Sequence, residues 1–259
     1  MTVIIQDKNR VATKYSFLMS HVPGLIAATL FGNSAVPDGL RRSAISSERV
    51  LGEMQAIYPE GITLNANGGV TMTPAGGGAL SARFLLPYTP EDNGETCVTL
   101  VSAVNSPTFV QVATYVGWRI MFNGAGDVQI NSGSNQAVST GAGLKLVDKG
   151  YMTPEGGLKD FVFITELRED GANLYLTASL HNARGASLAS ATAGVPNASL
   201  DMSSTSAYIG GSAAGATSFS KSLKHFGHLI FHRQLTDAEK ITAAAQLAGY
   251  ANSIGAMIE

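Results

Sequence analysis

The chain has a single cysteine, Cys97, so no intrachain disulfide can form and the fold must hold without that staple. In the apolar-alternating stretch "TCVTLVSAV" this residue reads as a small buried hydrophobe. Charge is also scarce: charged residues are 14% of the 259, with 17 basic against 19 acidic, and the longest basic run is Arg41 and Arg42. Nucleic-acid binding needs a concentrated cationic face that displaces counterions from phosphate, and no stretch supplies one. Long apolar runs are missing too. The best candidate, "FLMSHVPGLIAATLFG", is short for a membrane span and is broken by His21 and Pro23, and Asp7 stands where a signal peptide would have its basic leader. Neither membrane insertion nor a signal peptide is expected.

Turn formers, by contrast, are plentiful: 29 glycines are scattered through the chain without a period, which excludes collagen and points to many tight turns between short strands. With 45% hydrophobic residues, a chain of this length can bury roughly 70% of its unfolded surface and needs no metal to fold. From residue 61 onward apolar residues alternate. "GITLNANGGVTMT" reads as a hairpin around Asn67 and Gly68, which accept the positive φ angles of a tight turn. "GWRIMFNGAGDVQIN" reads as two strands. "DFVFITELREDGANLYLTASLHN" is the clearest hairpin, with Phe161, Phe163, Thr165 and Leu167 on one face and Leu174, Leu176, Ala178 and Leu180 returning. Ten or more such strands predict an all-β, two-sheet antiparallel sandwich over 59–259. Residues 1–58 read differently. "SERVLGEMQAIYP" has helical spacing at Val50, Leu51, Met54, Ile57 and Tyr58, and the segment serves either as an assembly arm or as an elaborated first strand of the sandwich.

"HFGHLIFHRQLTDAEK", at 225–240, places three histidines in eight positions. On a regular strand His228, Ile230 and His232 face one way, while His225 has the opposite parity unless "FG" bends the chain. His228 and His232 would stand about 13 Å apart along the strand, too far to share a zinc ion whose ligands lie at about 2 Å. No metal site is expected, and the histidines are assigned to a solvent face. "TDAE" then starts a helix: Thr236 and Glu239 make a capping box, and Asp237 and Glu239 suit the positive end of the helix dipole. The helix is predicted over about 236–252, with an apolar stripe of Ile241, Ala245 and Ala248 and a stop at Gly249 or Gly255.

These last residues carry a resemblance. Ile209, Gly210 and Gly211, then Gly227, Phe231, Arg233 and Leu235, then Thr236, Asp237, Glu239 and Ile241, resemble the C-terminal signature of laminin-G-like domains in the concanavalin A-like lectin/glucanase group. The match covers about forty residues, and the group's jelly-roll architecture suits the hairpins upstream. The resemblance implies a concanavalin A-like jelly roll closed by a short helix, a fold that hosts lectins, hydrolases, adhesion modules and virus structural proteins.

Chemistry is sparse. Glycoside hydrolases of that group carry Glu-x-Asp-x-x-Glu on one strand, which aims carboxylates at one sugar bond. The nearest stretch here, "TELRED", puts Glu166, Arg168 and Asp170 on one face and Glu169 on the other, so no acid pair is assembled and no catalytic residue is named. No nucleophile-elbow or phosphate-loop motif occurs. Asp92, Asn93 and Glu95 form the best oxygen cluster for calcium, and turn chemistry accounts for them equally well, so no cofactor is assigned. For sugar binding, Trp118 with Tyr115 is the first aromatic candidate, against the alternative of a Trp packed between sheets. The expected function is a non-enzymatic structural or glycan-facing component of a bacteriophage particle. Its partners would be other virion proteins, copies of itself and cell-surface glycan, and its location the virion. A stand-alone lectin module or a polysaccharide-degrading enzyme are the alternatives.

Overall fold

The structure is a computed structural model that describes residues 22–30, 55–57, 62–64, 70–72, 82–85, 97–105, 110–115, 117–122, 128–132, 137–139, 159–201, 206–209 and 223–259. These residues form a two-sheet antiparallel sandwich with a C-terminal helix. The larger sheet runs β13 (Ser187–Pro196), β12 (Asn173–His181), β11 (Asp160–Asp170), β6 (Cys97–Asn105), β15 (Leu223–Phe231), β4 (Val70–Met72) and β3 (Ile62–Leu64), with β1 (Leu25–Leu30) paired to the second half of β15. The smaller runs β10 (Ala137–Ser139), β9 (Val128–Ser132), β8 (Trp118–Phe122), β7 (Val110–Tyr115), β14 (Ser206–Ile209), β5 (Ala82–Leu85) and β2 (Gln55–Ile57).

The hairpins expected from alternation are present. β3 pairs β4, β8 pairs β9, and β11 pairs β12 in the register Phe163↔Leu180, Thr165↔Ala178 and Leu167↔Leu176. The turn joining β11 to β12 is Gly171 and Ala172, with Gly171 at φ 62, a conformation that costs a residue without Cβ little. The turn at Asn67 and Gly68 lies outside the described residues. Two stretches from the first 58 residues belong to the sheets. β1 extends the larger sheet, which favours the elaborated-strand alternative for that stretch, and β2 pairs β5 with Ala56↔Phe84. At Gln55–Ile57 the helical spacing is therefore overridden by pairing to a sheet edge; the rest of that predicted helix lies outside the described residues.

The larger sheet is buried on both faces along its central strands. Phe161, Phe163, Leu167, Leu174, Leu176 and Leu180 are buried on the side turned to the smaller sheet. On the opposite side Val101, Ala103, Val162, Ile164, Leu229 and Phe231 meet Ala243, Ala244, Leu247, Ala248 and Ala251 of the helix (Asp237–Ser253). The apolar stripe is thus rotated from the expected one: Ala248 is buried, but Ile241 is 44% exposed. The alanines explain the rotation, since a face of small side chains lets the helix lie close on the sheet and seat Leu247 in it.

The helix start is fixed as the motif predicts. The Thr236 hydroxyl accepts from the Glu239 amide at 3.3 Å, and the Glu239 carboxylate accepts from the Thr236 amide at 2.9 Å. Arg233 adds a bidentate pair to Glu239 at 2.7 and 3.0 Å and donates from Nε and Nη2 to the Pro23 carbonyl at 2.9 and 2.7 Å. One guanidinium thereby ties the end of β15, the helix start and the chain before β1 together. Gly24, at φ 76, leaves room for it, because a Cβ there would press on the Arg233 side chain. These hydrogen bonds hold the Glu239 carboxyl at about 2, the Arg233 contribution being the largest and the Thr236 amide next. The helix ends in a Schellman motif, with Gly255 at φ 99, the Ala256 amide bonded to the Ala251 carbonyl and the Gly255 amide to that of Asn252.

Candidate functional site

The histidines of β15 are interior, not on a solvent face. The pairing of β15 with β6 slips between His225 and Gly227, and the extra residue, Phe226, reverses the parity of everything before it. His225 and His228, which strict alternation separates, therefore share the face turned to the smaller sheet, with ring centroids 4.9 Å apart. His225 Nδ1 lies 2.8 Å from His228 Nε2, and His228 Nδ1 lies 2.9 Å from Oγ of Ser102, its cross-strand neighbour. All three residues are buried. Burial pushes the His228 ring down to about 3; it also lowers His225 well below the usual range, with the neighbouring His228 adding to it. His232, likewise buried, is lowered to about 4 by burial. Among the described residues no three His, Cys, Asp or Glu side chains gather closely enough to hold a metal ion.

A second Ser–His pair lies on the other face. His181 Nδ1 is 2.8 Å from the Gly185 carbonyl, which can only accept, so in the neutral ring Nδ1 carries the hydrogen and Nε2 accepts from the Ser179 hydroxyl at 2.8 Å. This is the orientation of a nucleophile and its base. Ser179 is nevertheless only 7% exposed and His181 2%, beneath the turn that joins β12 to β13. That turn touches the helix: a Cβ on Gly185 would collide with the Ile241 carbonyl. Burial lowers His181, against the pull of the Gly185 carbonyl, and Lys240 lowers it further.

The acidic residues of β11 all have structural partners. Glu166 accepts from Gln234 Nε2 at 3.1 Å and forms an ion pair with Lys240 at 3.0 Å, off hydrogen-bond geometry, with the two side chains 6% and 16% exposed. Glu169 accepts from the Leu200 amide, Asp160 from the Met257 amide at 2.6 Å, and Asp170 pairs with Arg168 at 3.2 Å. The faces of Glu166, Arg168, Asp170 and Glu169 follow the expected parity.

Trp118 is 2% exposed and its indole donates to the Ser199 carbonyl at 3.0 Å, so its ring fills the fold and presents no stacking face. Tyr115 is its cross-strand neighbour, and the Tyr115 side chain is outside those described. Cys97 is buried and unbridged. Asp92, Asn93 and Glu95 lie outside the described residues.

An open surface occurs elsewhere. The helix covers β6, β11 and β15, and the turn after β12 covers Ser179 and His181; on the rest of the outer face Tyr175 and Thr177 of β12 are half-buried and Ser190, Thr192 and Gly194 of β13 are exposed. There Arg168 lies over the Tyr175 ring at 5.1 Å, and Thr177 and Thr192 join hydroxyls across the strands at 2.9 Å. Gly194 lies opposite Tyr175, and a Cβ there would make ordinary contact with the ring at 3.6 Å, so the ring lies against this part of β13 without strain. The result is a flat, hydroxyl-bearing patch with one half-buried aromatic ring and one cation, Asp170 at its rim. Its marker in the sequence is the polar parity of the β11–β12 hairpin, which puts Arg168 with Tyr175 and Thr177 on one face.

No protein-family model matches the chain, and no curated protein does. Among solved structures it is similar to the binding domain of botulinum neurotoxin serotype C1, at 11% identity and a TM-score of 0.52, covering 86% of this chain and 52% of that one. It is similar also to the binding domain of botulinum neurotoxin DC in complex with SialylT, at 10% identity and a TM-score of 0.54, covering 87% and 52%. The chain spans about half the length of these structures. At such identity the likeness concerns the β-sandwich fold.

Proposed function

We propose that this chain is a non-enzymatic recognition module whose outer-sheet patch faces glycans, carried on the surface of a bacteriophage particle with other virion proteins as neighbours. The observation that carries the glycan part is the uncovered face of β12 and β13. A sugar offers hydroxyls that need oriented hydrogen-bonding partners, and a C–H face that packs on an aromatic ring. Tyr175, Arg168, Thr177 and Thr192 supply both on a rigid sheet, held by bonds that exist before any ligand arrives. That a neighbour of the same fold is a toxin binding domain in complex with SialylT accords with this use of the sandwich. The non-enzymatic part is supported by the carboxylates of β11, each tied to a structural partner instead of facing a second acid across an open cleft. The particle part draws on the resemblance of Ile209 to Ile241 to the laminin-G-like signature, which implies a fold group that includes virus structural proteins.

A glycan array tests the reading. The wild type is expected to retain a defined set of glycans, and Tyr175→Ala or Arg168→Ala to weaken retention about tenfold or more. Silence across the array rejects the glycan part, and release of reducing sugar from a bound glycan rejects the non-enzymatic part. Electron microscopy of particles labelled with antibody to this chain tests the location; unlabelled particles would leave a stand-alone lectin module.

A further inference from the structure

β13 is the outermost strand of the larger sheet, and among the described residues its hydrogen-bonded neighbour is β12 alone. Its sequence, "SLASATAGVP", carries no charged side chain. Edge strands are commonly guarded by charge, proline, bulges or shortness, because a bare edge templates another strand. Here the guards stand only at the ends. The register slips near Leu188 at one end, and Pro196 closes the other. Residues 189–195 between them are regular and uncharged.

The direction of the bare groups follows from the ladder. The Asn197 amide donates to the Ala172 carbonyl at 2.8 Å, one step beyond the pair Asn173↔Pro196. Bonded pairs alternate in an antiparallel ladder, so Ala189, Ala191, Ala193 and Val195 bond to β12, and Ser190, Thr192 and Gly194 turn their N–H and C=O outward. Pro196 falls in the outward set, where its missing N–H costs the ladder nothing. Ser190, Thr192 and Gly194 are all exposed.

We propose that this edge is a self-association site, at which β13 of two copies pairs antiparallel about a two-fold axis at Thr192 and continues the larger sheet from one protomer into the next. A second copy is the occupant because the edge is complementary to itself. Centring on Thr192 sets it opposite Thr192 of the partner subunit and Ser190 opposite Gly194 of the partner subunit, for about six main-chain hydrogen bonds. A Thr–Thr cross-strand pair is favourable, and with no charge on the strand nothing repels an identical one. The same centre brings Leu188, 43% exposed, toward Pro196 of the partner subunit, so each end of the seam gains an apolar contact. The pairing rests on the β13 backbone and not on the glycan reading; if both hold, the two patches share one continuous sheet and bind multivalent glycan with avidity.

Sedimentation of the full chain over a wide concentration range, with amide hydrogen exchange at the dimer plateau, tests this. The wild type is expected to dimerise with slow exchange at Ser190, Thr192 and Gly194. Thr192→Lys sets two cations opposite each other on the axis and gives up the hydroxyl contact with Thr177, while leaving the main-chain bonds to β12 intact. It is expected to weaken the dimer about tenfold or more, free those amides and leave the circular dichroism of the monomer unchanged. Thr192→Ser is expected to dimerise like the wild type. A wild type that stays monomeric overturns the proposal, as does a dimer indifferent to Thr192→Lys, or protection of those amides that needs an unrelated extended peptide.

Discussion

The outer face of the larger sheet is two surfaces in one plane. Over β6, β11 and β15 it carries Val101, Ala103, Val162, Ile164, Leu229 and Phe231 and is sealed by a helix rich in alanine. Over β12 and β13 it carries Tyr175, Thr177, Ser190 and Thr192, and no helix covers them. The hydrogen-bonded sheet is continuous across the divide, through the pairing of β11 with β12, so the difference lies in side-chain chemistry. The polar groups also differ in kind across it: Glu166, at the margin of the helix, is locked to Lys240 and Gln234, whereas the hydroxyls of Thr177 and Thr192 bond each other in reach of solvent. The lesson is that a sheet this wide is sealed over one half and leaves polar side chains at the surface of the other.

The comparison breaks most visibly if the seal is opened. Leu247→Ala removes a fully buried side chain from the helix and is expected to cost about 2–5 kcal/mol in urea unfolding, with the uncovered half unaltered. Acid is next. Unfolded histidine titrates near 6.5, while folded His228 resists its proton down to about 3, so between these values the unfolded chain binds the extra proton. The contribution of this ring is therefore complete above about pH 6.5 and is lost as pH falls toward 3, amounting to about 1–2 kcal/mol by pH 5. His228→Gln is expected to flatten the pH dependence of unfolding in that window. A slope unchanged by the substitution would contradict a buried neutral ring. Glu239 acts lower on the scale: its depressed carboxyl stabilises fully above about pH 4.5, and the gain is lost as pH falls toward 2. Thr236→Ala, which removes the helix cap, is expected to cost about 1 kcal/mol by thermal melting. On the uncovered half, Tyr175→Ala is expected to cost about 1 kcal/mol or less, since the ring is half-buried and lies at the sheet surface beside Arg168 and Gly194.

Much of this was legible beforehand. Alternation located β11 and β12 and set their faces, because a strand buried on one side must repeat every second residue. The capping box was readable because its two bonds are local. What escaped depended on distant partners. The slip at Phe226 brings His225 to His228, and nothing within five residues says whether "FG" bends or bulges; the answer lies in β6. The helix stripe was misplaced because large apolar residues were weighted over alanines, whose smallness is what fits them to the sheet. Gln55–Ile57 spaced like a helix and paired as a strand because an edge of β5 was there to receive it. Trp118 is the only tryptophan, yet stacking on a sugar needs an exposed ring, and exposure is a property of the folded surface, where this ring is buried.

The division of the outer face is tested most directly by titrating a glycan retained on the array into Tyr175→Ala and Leu247→Ala under conditions where both are folded. The account predicts that Tyr175→Ala loses binding by about tenfold or more and that Leu247→Ala, though far less stable, binds like the wild type. Equal binding by Tyr175→Ala and wild type would contradict it.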